Sequence, residues 1–342
     1  KANIDVALSV IDSNPGLREW IANRLLDIAE KVPIDLPVRI PTDRDPFLDD
    51  RLRPANLPLE TQKVSVVDPA TGKTVEGTVE LFKKAGEVAG TRRAISEIGK
   101  WLNYVTDNRF LTVAADLSDS INIEHAHFLE HYDPETSFAG TRIKAPIEEA
   151  VNASSVIGLV GQTTSSDPKI HAGVWGLSGT YGAFTPLMYT PVRVFSQQNQ
   201  DSPFNLGVAM ILAGHSGPET AADARTHFGI FAPQVWTLFP RGEVINLYFW
   251  DYNDVAPGFF AAVEHSARHK ESGLIVIHVA RPDFPAADRS TFADPDIKAA
   301  AKGIYLVRDY DPSVEKMGTV FVQGSSSTVN LGKILPELER DG

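Results

Sequence analysis

Four short apolar runs constrain the fold of this chain more than any other feature. RFLTVAADL (109–117), NLGVAMILAG (205–214), EVINLYFWDY (243–252) and GLIVIHVAR (273–281) are rich in β-branched or aromatic residues. Runs that stay apolar at consecutive positions, rather than alternating ones, read as strands buried on both faces. Between or beside them lie segments of helical length: APIEEAVNASSVIGLVG (145–161), HFGIFAPQVWTLF (227–239) and VAPGFFAAVEHSARHKE (255–271). Strands alternating with helices imply an α/β domain, a mostly parallel sheet with helices on both faces, over residues 91–315.

The flanks read differently. GLREWIANRLLDIAEKV (16–32) has apolar residues at helical spacing, and six prolines follow at 33, 37, 41, 46, 54 and 58. Proline at that density blocks regular helix and central strand, so residues 1–60 are expected to be an N-terminal helix and a Pro-rich linker or arm. In KVSVVDPATGKTVEGTVELF, TGKT suggests a phosphate loop, but Val67 stands where that motif needs glycine. The alternation around DPATG fits a hairpin instead, making 61–90 a connector. Residues 316–342, GTVFVQGSSSTVNLGKILPELERDG in the main, read as a strand, a polar turn and a helix.

Composition narrows the partners. With 342 residues and 43% hydrophobic content the chain can fill a large core, and its net charge of -12 argues against nucleic acid or an acidic membrane surface. Zero cysteines excludes disulfides and thiolate chemistry. No apolar run nears the roughly 20 residues of a membrane span, and no signal segment opens the chain, so a cytoplasmic protein is expected.

Two polar clusters compete for a chemical role. EHAHFLEH (124–131) offers His125, His127 and His131 without any compact zinc spacing, so it reads as a solvated or helix-face cluster before it reads as a metal site. IEEA sets Glu148 and Glu149 in an otherwise apolar helix. Neighbouring helical positions point about 100° apart, so one carboxylate can be buried while the other stays wet.

Taken in order, TRRAISEIGKWL, AADLSDS, IEEA, GTYGAFTPLMY, GHSGPETAADARTHFG and HVARPDF resemble the motif series of the pyrimidine-binding domain of transketolases. The most specific match is His215, Asp223 and His227, which keep the family's H-x7-D-x3-H spacing. The resemblance covers about residues 90–342, with 316–342 as the start of the family's C-terminal domain, and it implies the thiamine-diphosphate-binding fold. It sets IEEA against the family's R-E-H-A and so implies Glu148 as the catalytic glutamate at N1′ of the cofactor's aminopyrimidine. Tyr181, Phe184 and Leu187 fall where aromatic residues flank that ring. His215 and His227 would act on the substrate above the cofactor, Asp223 would bind a substrate hydroxyl, and Arg92, Ser120 and Arg281 would hold a sugar phosphate.

The resemblance also implies what lies elsewhere. The family holds the cofactor's diphosphate through Mg²⁺ or Ca²⁺ with a GDG motif and a downstream Asn, and this sequence has no such motif. Its partner is therefore expected to be a diphosphate-binding domain or subunit, in a homodimer or a complex of two chains, with residues 1–60 as the tail of that domain. The chain begins at Lys1 rather than Met, in keeping with a fragment. Two other readings share the domain: the matching component of a 2-oxo acid dehydrogenase, and an interaction module that keeps only the fold.

Overall fold

The computed structural model describes residues 2–31, 45–115, 118–133, 136–137, 139–161, 173–202, 207–230, 232–269, 273–315 and 318–341. The chain divides into two units, Lys1–Pro41 and Thr42–Gly342. The first is a helical pair, α1 (Ala2–Ser13) and α2 (Pro15–Lys31). No residue of α2 is buried, and Trp20, Leu25 and Leu26 stand open.

The second unit is built on a six-stranded, wholly parallel sheet. Its strands are β4 (Phe110–Ala115), β5 (Arg142–Ala145), β6 (Trp175–Tyr181), β7 (Ala209–Gly214), β8 (Val244–Tyr248) and β9 (Leu274–His278), in the spatial order β5-β4-β6-β7-β9-β8. Both faces are covered, and the run AMIL of β7 shows why every position had to be apolar. Met210 and Leu212 pack towards α3 (Thr91–Val105) and α6 (Tyr252–His269). Ala209 and Ile211 pack in the opposite layer, with Ala153 and Val156 of α4 (Glu149–Val160) and Val192 and Phe195 of α5 (Tyr189–Asp201). Successive strand side chains face opposite ways, so a central strand between two helical layers meets an apolar layer on each side.

Around this core lie smaller pieces. DPATG closes the hairpin of β1 (Gln62–Val67) and β2 (Thr74–Val79), with Gly72 in the left-handed region (φ 69°). A short pair joins β3 (Val88–Ala89) to β10 (Phe284–Pro285). Of the stretch expected to be a linker, residues 32–44 lie outside the described residues, and from Asp45 onward it belongs to the core. Phe47 stacks on Trp175 at 4.0 Å, and Leu52 and Leu57 are buried. Proline there starts short 3₁₀ turns at Pro46–Leu48 and Pro54–Asn56 instead of an open arm.

Two other expected elements differ. The described residues of HFGIFAPQVWTLF form no α-helix, and Ala232–Leu238 is a 3₁₀ helix confined by Pro233 and Pro240. The expected strand at 319–323 has no ladder partner among the described residues, and Val320 and Phe321 are exposed, while α7 (Ser325–Asp341) forms as expected. No helix among the described residues is long and apolar enough to cross a membrane.

One ion cluster fastens the segment after β9 to the start of α6. The buried Arg289 guanidinium donates to Asp251 (2.6 Å), Asp254 (3.0 Å) and the Tyr305 hydroxyl (2.6 Å), and lies against the rings of Trp250 and Phe292. Two carboxylates sharing one cation leave Asp254 partly uncompensated, and burial above all raises it to about 6.

Candidate active site

All six strands run the same way, so their C-terminal ends form one edge where loops carry polar groups free of the ladder. Arg92 comes from the first turn of α3, Ser120 from the loop after β4, and Glu149 from the first turn of α4. Thr180 and Tyr181 close β6, Phe184 lies in the 3₁₀ turns after it, and His215 follows β7 directly. Asp223 and His227 lie on the loop beyond, and Arg281 beyond β9. The loops after β6 and β7 meet so closely that glycine is required. A Cβ on Gly182 would sit 3.0 Å from Ser216 Cα, and one on Gly229 would sit 2.8 Å from the Ala183 nitrogen.

His215 is the hub. Its backbone is left-handed (φ 56°), a conformation that costs a residue with a Cβ about 1–3 kcal/mol and that turns the chain sharply off the strand end. The side chain is fully buried, with Nε2 3.1 Å from both the Ser120 carbonyl oxygen and Arg92 Nη1. Its ring lies 4.4 Å from that of Tyr181, whose hydroxyl is 3.0 Å from Ser120 Oγ. His227 stands edge-on to Tyr181 (5.6 Å) and Phe184 (5.1 Å). Burial first, and then the Arg92 charge, push the His215 imidazole down to about 4, so it is neutral at pH 7.

The two glutamates separate at the start of α4, which Glu148 precedes and Glu149 opens. Glu148 stands at the N-cap position of α4 without a side-chain capping hydrogen bond and is exposed. Glu149, one residue on, is only 6% exposed and accepts a hydrogen bond from the Thr180 hydroxyl at 3.0 Å. Its Oε2 has no partner among the described residues. The family motif R-E-H-A matches IEEA at its E and A and EEAV at its E alone, whereas burial singles out Glu149. Leu187, expected against the ring, is 58% exposed and faces away from the apolar interior.

Arg92, Ser120 and Arg281, far apart in sequence, do come together. Arg92 donates to the Ser120 carbonyl oxygen at 2.6 Å and has no carboxylate partner among the described residues. Burial first, and then the neighbouring Arg281, hold it below the usual arginine range. Arg281 donates to Asp223 at 2.6 Å, and its backbone N–H donates to Glu219 at 3.0 Å. Thr180 and Glu219 were missed by sequence reasoning. Thr180 sits inside GTYG and could have been found there, whereas nothing marks Glu219.

The histidines of EHAHFLEH diverge. His127 is in the core, against the expectation of a solvated cluster, with Nε2 2.8 Å from Thr112 and Nδ1 2.8 Å from Thr141 and 3.1 Å from Asn103. His125 lies near Asp119 and His131 near Glu124. No group of three or more His, Asp or Glu side chains among the described residues is placed to hold a metal ion.

No protein-family model matches the sequence, and no curated protein matches it. Solved structures do. A mutant transketolase from Pichia stipitis, in complex with xylulose 5-phosphate, superposes with a TM-score of 0.53 at 17% identity, over 68% of this chain and 31% of that one. The R525L mutant of the Pichia stipitis transketolase gives a TM-score of 0.51 at 16% identity, over 68% and 31% of the two chains. The chain thus has a transketolase-like α/β fold and spans less than a third of the length of these enzymes.

Proposed function

We propose that this chain is the pyrimidine-binding half of a transketolase-like enzyme that transfers a two-carbon ketol unit between sugar phosphates. The observation that carries the reading is the meeting of a buried carboxylate, an aromatic shelf, a neutral histidine and two arginines at one sheet edge of a transketolase-like fold. Thiamine diphosphate, when bound, supplies the electron sink for the carbon left when a bond beside a carbonyl breaks. The residues present fit its aminopyrimidine: Glu149 offers one oxygen held by Thr180 and one unpartnered, at the same sheet edge as the rings of Tyr181 and Phe184. Glu149 would hold the proton at N1′, a task suited to a carboxyl drawn out of water. Its diphosphate and the accompanying Mg²⁺ or Ca²⁺ would be held by a partner domain or subunit.

Around the substrate, Arg92 and Arg281 would grip the phosphate with Ser120, and Asp223 would accept from a hydroxyl. The neutral His215 and half-buried His227 would pass hydrogen bonds and protons to the sugar. Charge-assisted hydrogen bonds are worth about 1.5–3 kcal/mol each, so Arg281→Ala is expected to lower kcat/KM for a ketose phosphate by roughly ten- to a hundredfold. Activity on hydroxypyruvate, which carries no phosphate, should barely change. Both donors are to be assayed with the diphosphate-binding partner supplied. Equal losses on both would favour the 2-oxo acid reaction and end the sugar-phosphate reading.

A further inference from the structure

The Arg281–Asp223 pair stands where the proposed phosphate grip must open. Two guanidinium groups lie near enough for Arg281 to depress Arg92, and among the described residues Asp223 is the carboxylate that bonds directly to either one. The ion pair is half open to water, with side chains 41% and 34% exposed, so an incoming anion can reach it. The loop does not depend on it. Glu219 accepts from the Arg281 backbone N–H at 3.0 Å, Ser216 N–H donates to the Val279 carbonyl at 2.9 Å, and the buried Thr220 hydroxyl donates to the His227 carbonyl at 2.6 Å. Asp223 can therefore let go of Arg281 by a side-chain rotation while the backbone stays anchored.

We infer that Asp223 is an internal competitor of the phosphate oxyanion: it neutralises Arg281 in the empty site and is displaced when a phosphate binds. The exchange sets ligand selectivity. An anion alone frees a carboxylate that then lacks a donor, whereas a phosphate ester carrying hydroxyl groups replaces both halves of the broken pair. Asp223 thus penalises inorganic phosphate and favours a hydroxylated phosphate ester. The inference rests on the proposed phosphate site, and its test separates the two.

Inorganic phosphate is the probe, titrated against the full chain and followed by ³¹P NMR. Asp223→Asn keeps the shape and removes the competing charge, and an exposed ion pair of this kind corresponds to a gain in phosphate affinity of about fivefold. Arg281→Ala should weaken binding. Asp283→Asn is the control for charge alone, since Asp283 pairs with Arg93 at the same sheet edge, and it should stay within about twofold of wild type. If Asp223→Asn binds no tighter, or Asp283→Asn tightens as much, the competition is overturned while the phosphate site stands. If phosphate binds none of these proteins, the site itself is refuted and the competition with it.

Discussion

Acidification from pH 7 to pH 5 is expected to cost this fold about 4 to 5 kcal/mol, roughly one- to five-thousandfold in the folding equilibrium. The cause is buried neutral histidine. Burial, as the largest influence, pushes His127 to about 3, His278 to about 3 and His215 to about 4. A histidine whose folded value lies below its unfolded one contributes stability fully above about pH 6.5, and that stability is lost as pH falls towards the folded value. Each of the three is therefore expected to cost about 2 kcal/mol by pH 5. Asp254 works in the other direction. Its value is raised by burial, so the folded state gains protons first and recovers about 1 kcal/mol over the same interval. Urea midpoints at the two pH values check the sum. His127→Gln, which keeps polar atoms near Thr112 and Thr141, should flatten the pH dependence by about 2 kcal/mol whatever it does to stability at pH 7. A midpoint unmoved between pH 7 and 5 would show that these rings are wetter than their surroundings imply.

Much of the fold was legible because several central strands are apolar at most positions. β7 and β9 are buried along their whole length, and both stand out in the sequence as apolar runs, β9 as far as its terminal His278. β5 escaped notice for the converse reason. It is a four-residue edge strand reading RIKA, half open to water, and an edge can carry Arg142 and Lys144 where a centre cannot. β6 was hidden by GLSG, whose small residues give no strand signal but are needed beneath Ile121, which a Cβ on Gly179 would meet at 2.5 Å. The order of the motifs located the strand-end cluster, because in a parallel sheet every strand delivers its C-terminal loop to the same edge. What order could not supply was register. The motif's letters favour Glu148, and only the packing of α4 against β6 shows that it is Glu149 that is drawn from water.

That choice bears on the largest catalytic effect expected here. Glu149 is buried and accepts a hydrogen bond from Thr180, whereas Glu148 is exposed, and in the proposed function Glu149 is the carboxyl set at N1′. General acid–base groups contribute about 10²–10⁴-fold, and Gln preserves the shape of Glu while removing its titration. Proton exchange at C2 of thiamine diphosphate, followed by NMR in deuterated water with the diphosphate-binding partner supplied, reads that function without any substrate. The expected result is a slowing of about a hundredfold or more in Glu149→Gln and a change within about twofold in Glu148→Gln. Equal exchange in the two variants, or a loss confined to Glu148→Gln, would contradict the account.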